Sequence, residues 1–167
     1  MNIIAVVGPS KIDNCADMLG TPANRLIEVA FETGKTLGKS GCEMVAVPYQ
    51  GIGYHAAKGY KEAHGKCLCG ILPVGISSEI QCTEIIEAEN WIRQPEYLVS
   101  RANVMVVIGL SAGTLIEICL TKRYRNYLVL IFRDFVTHIP IEIQNEINMK
   151  YISNIEDMEN IITDINK

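Results

Sequence analysis

Asn103-Val104-Met105-Val106-Val107-Ile108-Gly109-Leu110-Ser111-Ala112-Gly113-Thr114-Leu115-Ile116-Glu117 is the stretch that decides the fold. Its first seven residues form the most apolar strand of the chain. They show no polar–apolar alternation and stop at Gly109, the pattern of a strand buried on both faces. The residues from Gly113 to Tyr124 then read as a helix, so the stretch is a strand, a tight loop and a helix start. Read outward, the same unit repeats. Residues 2–7 form a short apolar, β-branched run stopped by Gly8-Pro9, with a polar loop to about residue 21. A helix follows, with Thr21 as N-cap and Pro22 at its first position, ending near Ser40-Gly41. Glu43–Val47 is a strand, Pro48 to Gly53 a loop, Tyr54 to His64 a helix closed by Gly65, and Lys66–Leu72 a strand ended by Pro73. Short strands are expected at Glu84–Ile86 and Met149–Ser153, a further strand at Tyr127–Phe132, and helices at about 95–102 and 154–166, the last capped by Asn154.

Strands without alternation, each followed by a helix, imply a parallel sheet covered on both faces. The expected fold class is therefore α/β, a doubly wound, mainly parallel sheet in one three-layer domain spanning residues 1–167. A length of 167 residues is sufficient for one substantial core, and no linker or internal repeat divides it. Apolar residues at 49% and charged residues at 20% exclude a disordered or collagenous chain. A net charge of −4 argues against a broad nucleic-acid surface, and no basic cluster with interleaved aromatics is present. No apolar run reaches the roughly 18 residues of a membrane span, and the N-terminal run lacks a basic leader, so a cytoplasmic protein is expected. The six cysteines read as free thiols in a reducing cytosol. Their spacing gives no zinc motif, so no metal is expected.

In a doubly wound sheet, ligands bind beyond the carboxyl ends of the strands near the topological switch point. Three loops lie there. Gly8-Pro9-Ser10 offers a close backbone approach and a hydroxyl, or is an ordinary turn. Gly51-Ile52-Gly53 precedes a helix and could receive an anion, although it matches neither a dinucleotide fingerprint nor a P-loop. Ser111-Ala112-Gly113-Thr114 opens the next helix, with Glu117 one turn inside it. Thr114 and Glu117 fit either a ligand site or a capping box. Tyr49 and Tyr54 offer a stacking surface or loop packing, and Trp91 lines a pocket or packs between subunits.

The opening Val7-Gly8-Pro9-Ser10, the segment Ala56–Gly65 with the following Gly70-Ile71-Leu72-Pro73, and above all Gly113-Thr114-Leu115-Ile116-Glu117 resemble the LONELY GUY (LOG)-like, or SLOG, superfamily of Rossmann-like proteins. The resemblance runs from residue 2 to about 162. It is greatest to the small branch that includes molybdenum-cofactor carrier proteins. It implies a nucleoside 5′-monophosphate phosphoribohydrolase, cleaving the N-glycosidic bond to free base and ribose 5-phosphate. Such cleavage builds positive charge on the ribose, which a carboxylate can offset. The resemblance assigns that role to Glu117, with Arg93 assisting, and nucleotide binding to Gly8, Ser10, Gly51, Gly53, Ser111, Ala112, Gly113 and Thr114. Ungapped alignment back from Glu117 places Gln94 at the arginine position; a one-residue shift restores Arg93, and Arg101 is a second candidate. The alternative is a non-catalytic carrier or sensor for a nucleotide or molybdenum-cofactor pterin. A homodimer or higher homo-oligomer with a small-molecule nucleotide ligand, and no resident cofactor, completes the expectation.

Overall fold

The computed structural model describes residues 2–165. Seven parallel strands form one sheet in the order β4-β3-β2-β1-β5-β6-β7. The strands are β1 Ile3–Val7, β2 Glu43–Ala46, β3 Leu68–Pro73, β4 Glu84–Ala88, β5 Val104–Val107, β6 Leu128–Phe132 and β7 Met149–Ile152. The helices are α1 Ile12–Leu19, α2 Ala23–Ser40, α3 Gly51–Glu62, α4 Gln94–Arg101, α5 Ala112–Leu120, α6 Ile141–Gln144 and α7 Ile155–Ile165. The doubly wound, three-layer α/β expectation is met.

Alternate residues of each strand enter different cores, which explains why the central strands are apolar at every position. Ile4, Val6, Met44, Val104, Val106 and Leu130 face a layer formed by α1, α2, α3 and α7. Ala5, Val7, Val45, Met105, Val107 and Val129 face α4, α5 and the segment from Val136 to Ile147. The sheet grows one way from β1 through β2 and β3 and the other way through β5 and β6, and with the right-handed crossovers general to parallel strands this reversal places the two sets of helices on opposite faces. Asn103 ties the two central strands at their start: its Oδ1 accepts from the Ile3 N–H at 2.8 Å. At the β4 edge, Glu84 and Glu87 discourage pairing with another strand.

Helices α2 and α3 approach backbone to backbone. A Cβ on Gly34 would lie 1.8 Å from the Ala56 carbonyl oxygen, and one on Gly59 would lie 2.0 Å from that of Phe31. Tyr60, fully buried beneath them, directs its hydroxyl at the carbonyls of Cys42 (2.7 Å) and Cys67 (2.9 Å) and accepts from the Cys67 N–H at 3.2 Å.

The structure departs from the expected elements at several ends. The loop expected to run to residue 21 contains α1, whose buried face is only Ile12, Cys15 and Ala16, too little periodicity to register in a polar stretch. The one-turn α6 follows Pro140 and buries no residue fully. Pro22 rather than Thr21 occupies the N-cap position of α2. Helix α3 begins at Gly51, three residues before the expected Tyr54. Asn154 does cap α7, accepting from the Asp157 N–H at 2.8 Å, whereas the expected end of that helix at residue 166 lies outside the described residues. Among the described residues no helix is long and apolar enough to cross a membrane, no disulfide links the cysteines, and no cluster of three or more His, Cys, Asp or Glu could hold a metal ion.

Candidate functional site

Strands β1 and β5 are neighbours in the sheet, yet the chain leaves them for helices on opposite faces. Their carboxyl ends therefore open a crevice, as the doubly wound topology requires. A cleft of about 610 Å³ occupies it, a size suited to a nucleotide-sized ligand. Gly8 and Ser10 after β1, Gly53 of α3, and Ser111, Gly113 and Thr114 at the cap and first turn of α5 all line it. Val6, Val7, Val47, Pro95 and Leu98 supply an apolar wall, and Trp91 and Ile92 stand at the exposed mouth.

Helix α5 begins at Ala112, and Ser111 is its cap: the Ser111 Oγ accepts from the Thr114 N–H at 3.2 Å and lies 2.9 Å from the Thr114 hydroxyl. A Thr114–Glu117 capping box is thereby replaced, and Glu117 is left for the cleft. The amides of Ala112 and Gly113, in the first turn, have no partner within the helix and carry its positive end. A Cβ on Gly113 would meet only the Ser111 Oγ, at 3.8 Å, so the space immediately beside this turn is open.

Two other glycines serve the backbone. Gly109, two residues past β5, is in the left-handed region (φ 80°), which permits the sharp turn toward α5. Gly51 (φ 65°) starts α3 against the first loop, where a Cβ would lie 2.3 Å from the Pro9 carbonyl oxygen. Gly51 accordingly does not line the cleft. Ala112 is exposed and does not line it either.

Glu117 reaches the cleft from α5 and is 8% exposed. None of the lining residues is Lys, Arg or His, so no cation compensates its carboxylate. Burial pushes its carboxyl up to about 8, and the neighbouring Gln94 carboxamide pulls the other way. Even so, the Gln94 Nε2 is buried without a partner at hydrogen-bond geometry, and Gln94 also lines the cleft. The Tyr127 hydroxyl is a second buried group without a partner; burial and the nearby Glu117 both raise its pKa.

Arg93 does not line the cleft. Its guanidinium pairs with Glu96 at 2.6 Å on the exposed side of α4, and Arg101 pairs with Glu84 at 2.5 Å. Gln94, one residue on, turns inward instead. The structure thus brings Glu117, Gly8, Ser10, Gly53, Ser111, Gly113 and Thr114 together and leaves Arg93, Gly51 and Ala112 outside. The signal for Gln94 was present in the ungapped spacing from Glu117.

A parallel three-layer sheet with a cleft at its switch point and a helix start beside it defines a Rossmann-like fold. The chain belongs to the SLOG cluster4 family, whose model matches residues 1–162. No curated protein matches the sequence significantly. Among solved structures, the molybdenum cofactor carrier protein of Chlamydomonas reinhardtii is similar at 21% identity, over 99% of each chain, with a TM-score of 0.82. The molybdenum cofactor binding protein of the phototrophic bacterium Rippkaea orientalis is 22% identical over 99% of this chain and 98% of its own, at 0.74. DNA processing protein A of Helicobacter pylori, whose structure describes single-stranded DNA binding, is 11% identical over 98% of this chain and 81% of its own, at 0.71. At these identities the likeness is one of fold.

Proposed function

We propose that this protein binds a phosphorylated heterocycle, of the molybdenum-cofactor pterin or nucleotide type, as a carrier or sensor that leaves its ligand intact. The observation that carries this reading is Glu117 buried in the cleft with Gln94, and no arginine, beside it. A carboxyl held up to about 8 is mainly the neutral acid at pH 7. It offers a hydrogen bond where glycosidic cleavage needs a negative charge against the ribose. The Gln94 amide, loosely held beside Glu117 in the cleft, supplies a donor for a ligand oxygen, and the first turn of α5 supplies amides for a phosphate. The similarity in fold to molybdenum cofactor carriers supports the same direction.

The phosphoribohydrolase reading stands second. What favours it is the carboxyl of Glu117 in the cleft, one turn from the helix start. A thermal-shift titration with AMP, GMP, CMP, UMP, IMP and 6-hydroxymethylpterin tests the first reading. At least one is expected to raise Tm in the wild type and to do so less in Gln94→Ala, since a ligand that binds only the native state stabilises it. No shift across the panel contradicts it.

The protein is further proposed to be a homo-oligomer, with a second copy covering Ile92 (87% exposed) and Ile116 (54% exposed) at the cleft mouth. A dimer mass in light scattering is the expected result. We place it in the reducing cytoplasm, where the thiols of Cys15 and Cys69 serve as core side chains.

A further inference from the structure

The cleft adjoins a second cavity of about 530 Å³, and Gln50 lines both. The other walls of this cavity are Tyr49, Tyr54, Ser77, Ser78 and Glu79. They come from the turn after β2, the start of α3 and the loop after β3. Ser78 holds these segments together: its hydroxyl donates to the Pro48 carbonyl, and its Oγ accepts from the Ile80 N–H at 3.0 Å. Ser78 is thus engaged in the framework, and Tyr49, Tyr54, Ser77, Glu79 and Gln50 remain to meet a ligand.

Two of these present aromatic rings. Tyr49 is 43% exposed, and its ring centroid lies 6.2 Å from that of Trp91, which itself lines the first cleft. An aromatic wall therefore runs from one cavity into the other. Tyr54 is braced edge-on by the His55 ring at 5.2 Å. Glu79 is exposed, makes no ion pair among the described residues, and is the only acid in a cavity that holds no Lys, Arg or His. A carboxylate can only accept hydrogen bonds, so it complements two parallel N–H donors. A ring N–H beside an exocyclic amino group, as on a 2-amino-4-oxo pyrimidine edge, supplies that pair. Adenine sets an acceptor nitrogen beside its amino group and does not.

We propose that the second cavity is the heterocycle subsite: a flat ring with a 2-amino-4-oxo pyrimidine edge stacks against Tyr49 and Tyr54 with its donor edge on Glu79, while the phosphate of the same ligand lies at the start of α5. Guanine and pterin rings share this edge. The inference rests on the binding function proposed for the first cleft.

Calorimetric titration of the wild type and Glu79→Gln with ribose 5-phosphate, GMP and AMP tests it. Ribose 5-phosphate is expected to bind both proteins equally. GMP is expected to bind the wild type about tenfold more tightly than AMP, the discrimination of one bidentate pair. Glu79→Gln should erase that preference, because its amide hydrogens face the ligand's donors, and Tyr54→Ala should weaken GMP and AMP alike. Equal binding of GMP and AMP to the wild type, or a preference that survives in Glu79→Gln, overturns the subsite. If ribose 5-phosphate binds and the heterocycle adds nothing, the subsite alone fails. If none of the three binds the wild type, the reading of the first cleft fails and the subsite with it.

Discussion

Gln94 lies beside Glu117 in the cleft, where the two side chains reach each other from the first residue of α4 and from one turn inside α5. Gln94 favours the charged carboxylate, burial opposes it more strongly, and the acid is pushed up to about 8. The Gln94 Nε2 is buried beside that carboxyl but lies short of full hydrogen-bond geometry with it. An amide held so loosely keeps donor capacity that an acceptor in the cleft can take up.

This arrangement has a consequence for stability against pH. The folded Glu117 carboxyl holds its proton up to about pH 8, whereas the unfolded one releases it near the ordinary carboxylate value. Between those values the native state binds more protons, so the contribution of Glu117 is fully present at acid pH and is lost as pH rises toward 8. The slope attributable to it is about 1.4 kcal/mol per pH unit at most. Denaturant melts between pH 5 and 8 should show Glu117→Gln with a flatter profile than the wild type and greater relative stability at pH 8. Parallel profiles would place the Glu117 carboxyl in its ordinary range.

Arg93 and Gln94 are adjacent in sequence but meet different environments. Arg93→Ala removes an exposed pair with Glu96 and is expected to cost at most about 1 kcal/mol and leave ligand affinity unchanged. Gln94→Ala should weaken ligand binding several-fold. Calorimetric affinities for the two variants distinguish their roles; a larger loss in Arg93→Ala would return the arginine to the site.

Gly113 offers a way to close the cleft without disturbing the fold. Open space surrounds it, and leucine is a better helix former than glycine. Gly113→Leu is expected to retain or raise Tm while abolishing binding of ribose 5-phosphate. Undiminished binding would move the phosphate away from the first turn of α5.

The α2–α3 contact is expected to be far less tolerant. Gly34→Ala places a methyl group against the Ala56 backbone, where no side chain can move aside, so the helices must separate. A loss of about 1–3 kcal/mol is expected in denaturant melts.

Much of the architecture was legible because both sheet faces are covered. Runs such as Val104–Val107 and Leu128–Phe132 are apolar throughout, and glycine, proline or a polar loop punctuates each of them. Helix α1 was hidden because its buried face is short, and α6 because it is a single turn with none. At the site, residues on one local segment were recoverable: the spacing from Ser111 to Glu117 puts them in the same cleft. For Gln94 against Arg93 the ungapped spacing from Glu117 pointed to Gln94, but residue type favoured Arg93, and a one-residue step around the start of α4 decides which side chain faces inward. The role of Gly34 was equally hidden, because only the partner helix reveals how closely the backbones approach.

The most direct measurement is incubation of the purified protein with the five nucleoside monophosphates and 6-hydroxymethylpterin, followed by chromatography of the bound and free small molecules. The account predicts that a ligand is recovered from the protein intact, with no free base accumulating, and that Glu117→Ala alters affinity only. Catalytic release of base by the wild type, lost in Glu117→Ala, would contradict it and establish the hydrolase.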